Sequence, residues 1–263
     1  MMKVYISADL EGIGGIITKE QITKGTSEYE EARILLSKEI YSVIEGLTSS
    51  GDNEIYVYDA HADGINILYD YMHPKAKYIM GYSHPEVRFP FLDSSFDFII
   101  LQGYHAMAGT EKAILDHTYS SKDIYNVFVN GEKAGELYID ALVASEASVP
   151  VGLVTGDDKT IREALAFMPW IETYETKKAI ARHCALLTPP EIVREELKNI
   201  ASRLFSKKSK FKLLPIPDNI EIRQESVLTS QNDSTVTINS ISKIDGRTII
   251  KKGHSIWKTF QGG

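Results

Sequence analysis

The sequence predicts an α/β fold: a three-layer, largely parallel sheet with helices on both faces, followed by a smaller α+β unit. Three observations carry this. Short runs rich in β-branched and aromatic residues alternate with stretches of helical periodicity up to about residue 168, the signature of βαβ units. The alternation stops at Met168-Pro169-Trp170. The charge balance reverses at the same place: residues 169–263 hold sixteen Lys/Arg against ten Asp/Glu, whereas residues 1–168 hold thirteen against twenty-six. The expected division is therefore an α/β unit over 1–168 and a smaller α+β unit over 169–263.

Residues 3–9 read as the first strand, ending at Asp9. After a polar loop, Ala32, Leu35, Leu36, Ile40, Val43, Ile44 and Leu47 recur at helical spacing, and Gly51 closes a helix that begins near Glu28. Ser27 and Glu30 have capping-box spacing, in which hydroxyl and carboxylate satisfy orphan amide donors reciprocally. A second strand is expected at 54–59, then a short helix around 65–72 that stops before Pro74, since proline disfavours helical backbone in the residue ahead of it. Strands follow at 97–102 and 126–129, the latter turning at Asn130-Gly131. Helices over 136–147 and 159–168 flank a buried strand at 150–154. In the second unit, Thr188-Pro189-Pro190-Glu191 opens a helix to Phe205, with proline in its first turn and a second capping-box spacing. Strands are expected at 211–214 and 220–223, and in a hairpin pairing 235–243 with 247–251 through Asp245-Gly246. Residues 255–261 read as a closing helix.

The 263-residue chain is 43% apolar and 25% charged, ordinary for a globular protein that buries a full core. Its net charge of −7 argues against a nucleic-acid binder. Asp9 and Glu11 interrupt the first apolar run too early for a signal peptide, and no run approaches the length of a membrane span. The single cysteine, Cys184, excludes an internal disulfide framework and is expected to be a small buried apolar residue. These features suit the cytoplasm. The Lys207-Lys208-Ser209-Lys210 run reads as a solvated helix end.

Three predicted strands end in side chains able to ligate a metal. Lys3–Asp9 delivers Asp9 and, two residues on, Glu11; Glu54–Asp59 delivers Asp59 and His61; Asp97–Gln102 delivers His105. In an open parallel sheet the carboxyl ends of neighbouring strands open into one crevice. Carboxylates and imidazoles distant in sequence then meet there, in the mixture that suits zinc and similar divalent ions. Paired carboxylates repel, so Asp9 and Glu11 side by side call for a cation. Asp59 is placed to support the site from behind. His117 lies in the loop after the third strand, where catalytic groups collect. Glu136 opens a helix, where the dipole alone would favour a carboxylate. His73 and His84 precede prolines, His183 and His254 fall in the second unit, and all four read as structural or surface residues. The glycines from Gly12 to Gly15 do not make a dinucleotide loop, because Ile17 stands where glycine is needed. The residues point to metal-dependent hydrolysis. A phosphoesterase would need phosphate-gripping cations near the strand ends, for which Lys19, Lys24 and Arg33 are the early candidates. A non-enzymatic peptide- or metal-binding accessory protein is the other alternative.

At Ala8-Asp9-Leu10-Glu11-Gly12, Asp59-Ala60-His61, Gly103-Tyr104-His105-Ala106, Asp116-His117-Thr118 and Gly135-Glu136-Leu137, the chain closely resembles the DppA-type D-aminopeptidases. The order of these motifs agrees as far as Gly156-Asp157-Asp158, with slightly longer segments on either side of His117. The resemblance implies a centre of two zinc ions per chain, with manganese or iron as other occupants. Its implied ligands are Asp9, Glu11, His61, His105 and Glu136, with Asp9 bridging and His117 catalytic. It also implies a metal-dependent aminopeptidase acting on short peptides with an N-terminal D-residue, assembled as a ring-like homo-oligomer, a decamer, with neither nucleic acid nor membrane as partner. The second unit would then serve assembly or cover the substrate.

Overall fold

Along the first strand Val4, Ile6 and Ala8 face one side and Tyr5 and Ser7 the other, the period of two that a strand imposes, and all five are buried. A strand buried on both faces requires cover on both. The computed structural model, which describes residues 1–49, 51–81 and 86–262, provides that cover in three layers.

The central sheet runs in the order β3 (Ala76–Ile79), β2 (Glu54–Asp59), β1 (Lys3–Ala8), β4 (Phe98–Gln102), β7 (Val151–Asp157), β8 (Glu172–Ala181), β9 (Cys184–Leu187). Its pairings are parallel from β3 to β8, and β9 folds back antiparallel on β8. On one face Val4, Ile6, Val57, Phe98 and Ile100 share a core with helices α1 (Ser27–Thr48) and α4 (Pro190–Lys207). On the other face Tyr5, Ile99, Leu101 and Val151 pack with α2 (Glu136–Glu146), α3 (Asp158–Phe167) and α5 (Ile256–Gln261). The same core takes in the inner residues of a second, antiparallel sheet of order β11 (Ile241–Lys243), β12 (Thr248–Gly253), β10 (Ile220–Ser226), β5 (Ile124–Val129), β6 (Glu132–Lys133). No helix among the described residues is long and apolar enough to cross a membrane.

The predicted fold class holds, but the sheets do not part at residue 168. β8, β9 and α4 lie beyond that point and complete the central sheet and its outer layer, while β5 and β6 precede it and belong to the second sheet. β8 escapes prediction because its half-exposed sequence, ETYETKKAIA, lacks the apolar run of the inner strands. Residues 211–214 form no ladder, and β11 is shorter than the expected 235–243. The segment 65–72 is a loop with one 3-10 turn at Tyr69–Tyr71, and β3 follows the Pro74 turn unpredicted. Thr26, not Ser27, caps α1: its Oγ1 accepts the Tyr29 amide at 3.1 Å, so the helix starts one residue early. Pro189 occupies the cap of α4 without a side-chain bond, so the box expected at Thr188 does not form. Cys184, expected in the core, is exposed on β9. His84 lies outside the described residues.

Candidate metal centre

The parallel order β2-β1-β4 sets the carboxyl ends of three strands side by side, and the backbone then locks their loops together. Asp9 N donates to Gln102 O at 2.8 Å and Gly12 N to Gly103 O at 2.7 Å. This approach admits no side chain: a Cβ on Gly12 would lie 2.0 Å from Tyr104 O, and one on Gly103, whose φ is +72°, 2.2 Å from Asp9 O. The two glycines let the Asp9–Glu11 turn lie against the His105 turn, so that residues almost a hundred positions apart share one cavity.

The resulting cluster contains all six candidate residues. His61 Nδ1 lies 3.1 Å from Asp9 Oδ1 and 3.1 Å from Glu11 Oε2. His105 Nε2 lies 3.5 Å from Asp9 Oδ2 and 3.1 Å from Glu136 Oε1. His117 stacks on His105, with ring centroids 3.9 Å apart, and its Nε2 is 3.5 Å from Glu136 Oε1 and 3.9 Å from Glu11 Oε1. Asp9, Glu11, His61, His105 and Glu136 are buried, and His117 is partly so. In ligand reach, two groups share His105: one with Asp9 and Glu11, the other with His117 and Glu136.

Second contacts aim these side chains. His105 Nδ1 lies 3.1 Å from Ala106 O and His117 Nδ1 2.8 Å from Leu115 O. A ring N–H donated to a carbonyl leaves the Nε2 lone pair directed inward, as metal-ligating imidazoles require. Leu115 and Tyr119, on either side of His117, adopt φ of 51° and 56°, backbone strain of a kind that persists where surroundings over-determine it. The Tyr119 amide donates to Glu136 Oε1 at 2.6 Å. Asp59 does support the site, but through the chain rather than the ring: it accepts the Asn66 and Ile67 amides, and Asn66 Nδ2 donates to both Asp59 Oδ1 and His61 O at 2.7 Å.

The electrostatics record one imbalance. Burial and the adjacent Glu11 push the Asp9 carboxyl up to about 7. For Glu11 and Glu136 burial acts in the same sense but is outweighed, by His61 at Glu11, held well below the usual carboxylate range, and by His105 at Glu136, brought down to about 2. His61 and His105 are raised far above the ordinary imidazole range, their burial overcome by these carboxylates. Burial and the neighbouring His105 push His117 down. Three buried carboxylates thus draw positive charge inward. Glu11 Oε2 and His105 Nε2 are buried without a hydrogen-bond partner; the ion-pair distances quoted above are short but the directions do not suit a proton. Buried polar atoms left without a hydrogen bond among three carboxylates and two imidazoles fit a divalent cation, whose charge would replace that of the ring protons, and the oxygen and nitrogen donor set suits zinc.

A clamp that sequence reasoning does not find holds the ligand-bearing turn from outside. From β8, Lys177 Nζ donates to Glu11 O at 2.6 Å and Ile13 O at 2.7 Å, and Thr176 Oγ1 donates to Gly12 O at 2.6 Å. From α1, Glu39 Oε1 accepts the Gly14 amide at 2.8 Å. Lys177 is 1% exposed, an unusual depth for an ammonium, and burial lowers it to about 8. Its one signal is a lysine inside a strand, and that signal is weak. Of the other histidines, His73 is buried with Nδ1 accepting the Lys75 amide, His254 is exposed, and His183, read from sequence as structural or surface, lies at the mouth of the cleft above the cluster.

Comparison with known proteins finds D-aminopeptidases. The model of the peptidase M55 family, described as D-aminopeptidase, matches residues 2–262. A D-aminopeptidase from Bacillus subtilis (strain 168) is 31% identical over 217 residues, which span 82% of this chain and 78% of that one. A solved structure, the Zn-dependent D-aminopeptidase DppA from Bacillus subtilis, described as a self-compartmentalizing protease, superposes with a TM-score of 0.93 at 27% identity, covering 99% of this chain and 95% of that one.

Two outcomes follow from the clamp. Lys177→Met should lower zinc affinity roughly 10–100-fold, the usual cost of removing support behind a ligand, with the fold retained and Lys177→Arg restoring part of it. Chelator competition that finds wild-type affinity would make the clamp dispensable. Burial pushes Glu39 up to about 8 from 4.5, so the folded protein keeps a proton that the unfolded chain releases. That contribution is full below about pH 4.5 and is lost as pH rises through about 8. Glu39→Gln keeps the acceptor for Gly14 but does not titrate, so urea denaturation between about pH 5 and pH 8 should show wild type losing more stability than the variant. Parallel losses would contradict the raised carboxyl.

Proposed function

This chain belongs to the M55 D-aminopeptidase family, and from that premise we propose that the cluster is a two-zinc centre that removes N-terminal D-residues from short peptides. Metal-dependent aminopeptidase activity comes with the family. One observation supports the division into two sites: the two oxygens of Asp9 face different histidines, Oδ1 toward His61 and Oδ2 toward His105. In this reading Asp9, Glu11 and His61 would hold one ion, and Asp9, His105 and Glu136 the other.

When bound, zinc supplies the Lewis acidity that lowers the pKa of a coordinated water and polarises the scissile carbonyl. The chain supplies the rest. His117 Nε2 faces the cluster with its lone pair free, because Nδ1 is engaged at Leu115 O. Burial and the neighbouring His105 keep it neutral near pH 7, ready to accept a proton and return it to the leaving amine. Its stacking on His105 and the strained residues on either side hold the ring in place. A cavity of about 970 Å3 opens from the cluster, room for a short peptide. Neither the phosphoesterase nor the accessory-protein alternative is favoured by the family. The reading extends to a ring-like homo-oligomer, decameric and cytoplasmic, supported by the self-compartmentalizing description of the related structure and by the single cysteine.

Metal analysis of gently purified protein should find about two zinc ions per chain, and Asp9→Ala should lose both metal and activity. A metal-free wild type that still cleaves peptides would end this mechanism. His117→Ala should retain metal while turnover falls about 100-fold or more; loss of zinc in that variant would instead make His117 a ligand. Paired peptides differing only in a D- or L-residue at the N-terminus should be separated by a large ratio of kcat/KM.

A further inference from the structure

The cleft above the cluster is divided by charge. Its carboxylates, Asp9, Glu11 and Glu136, all lie in the buried cluster. Around them the other charged lining is cationic: Lys19 and Lys24 from the loop after β1, Arg88, Lys122, and Arg182 beside His183 in the β8–β9 turn. Four separate segments of a chain carrying 36 acidic and 29 basic residues thus bring positive charge to one opening.

Two kinds of cation are present. Arg88 is rigid and internal. Its Nε and Nη2 donate to Asp140 Oδ1 and Oδ2, each at 2.7 Å, and its guanidinium sits 5.3 Å from the ring centre of Tyr119 and 5.5 Å from that of Trp257. Its side chain is 9% exposed, it lines the cleft, and its bonds to Asp140 use Nε and Nη2, leaving Nη1 outside that pair. A guanidinium held on one edge by a carboxylate and open on another is prepared for an anion. Lys19 and Lys122 are the opposite: exposed, and with no carboxylate at ion-pair distance among the described residues. Lys24 and Arg182 are already engaged, with Asp63 and Asp116.

We propose that this wall is a subsite for the C-terminal carboxylate of the substrate, with Arg88 as its fixed inner end and Lys19 and Lys122 as its adjustable outer end. The inference rests on the peptidase reading and adds to it how short peptides are selected. A peptide cleaved next to its amino terminus has its reacting bond at the metal cluster. Only when the chain is short does its carboxylate also fall within the same cleft, and there it meets opposite charge. Flexible lysines accommodate a range of lengths that a rigid arginine alone would not. Longer peptides, or those with a blocked terminus, forgo the interaction.

The test compares D-alanyl-glycine with D-alanyl-glycinamide on the zinc-loaded enzyme. The free acid should be preferred by about fivefold or more in kcat/KM, chiefly through KM, and the preference should shrink as salt screens the exposed lysines. Lys19→Ala with Lys122→Ala should bring the ratio toward one, whereas Lys210→Ala, outside the cleft, should leave it as in wild type. Arg88→Gln is paired with Asp140→Asn, so that no buried carboxylate is stranded, and should also reduce the ratio. Equal use of acid and amide by wild type, or a ratio unmoved in both sets of variants, overturns the subsite while leaving the peptidase standing. Failure to cleave either compound overturns the peptidase reading and this inference with it.

Discussion

Three carboxylates buried against one another are the constraint to which the rest of the structure responds. Asp9 and Glu11 come from one turn and Glu136 from a helix far along the chain, and left to themselves the three would repel or take up protons. The neighbours ease that repulsion: the His61 and His105 imidazoles, raised by these carboxylates, the Tyr119 amide at Glu136, and a buried ammonium behind the Glu11 carbonyl. A fold that concentrates negative charge in this way, and then leaves buried oxygen and nitrogen atoms without hydrogen-bond partners, is organised around a cation.

The architecture explains how such a cluster is kept rigid. β1, β2 and β4 are central in a parallel sheet covered on both faces, so the bases of the ligand loops cannot move without disturbing two cores. Above the sheet, regular hydrogen bonding ends and side chains take over the backbone. Asp59 serves the loop carrying His61, while Glu39, Thr176 and Lys177 serve the turn carrying Glu11. α2 contributes twice, since Glu136 at its start faces the cluster and Asp140 one turn later anchors Arg88 in the wall of the cleft.

How much of this was legible depended on the kind of signal. Asp9, Glu11, His61 and His105 could be read because strand ends are marked by apolar runs, and a parallel sheet brings such ends together. Glu136 could not: a carboxylate at a helix start has an ordinary explanation, and it came from resemblance to a family. His117 was a weaker reading, since a loop histidine has no periodicity to place it, and its catalytic role came from the same resemblance. The supporting residues were invisible for a different reason. Lys177 sits in a strand whose composition looks exposed, and nothing local reveals that its neighbours will bury it. The same blindness put a boundary at residue 168, because β8 and α4 read as the start of something new when they finish the central sheet.

The position of the clamp has a consequence for how the molecule comes into being. A ribosome making this polypeptide has emitted every candidate ligand once Glu136 has left the tunnel, yet Thr176 and Lys177 are still to be translated. Until they arrive, the turn with Glu11 lacks the partners that satisfy the Glu11 and Gly12 carbonyls. A half-made protein therefore holds the candidate ligands before it holds the groups that fix one of their turns.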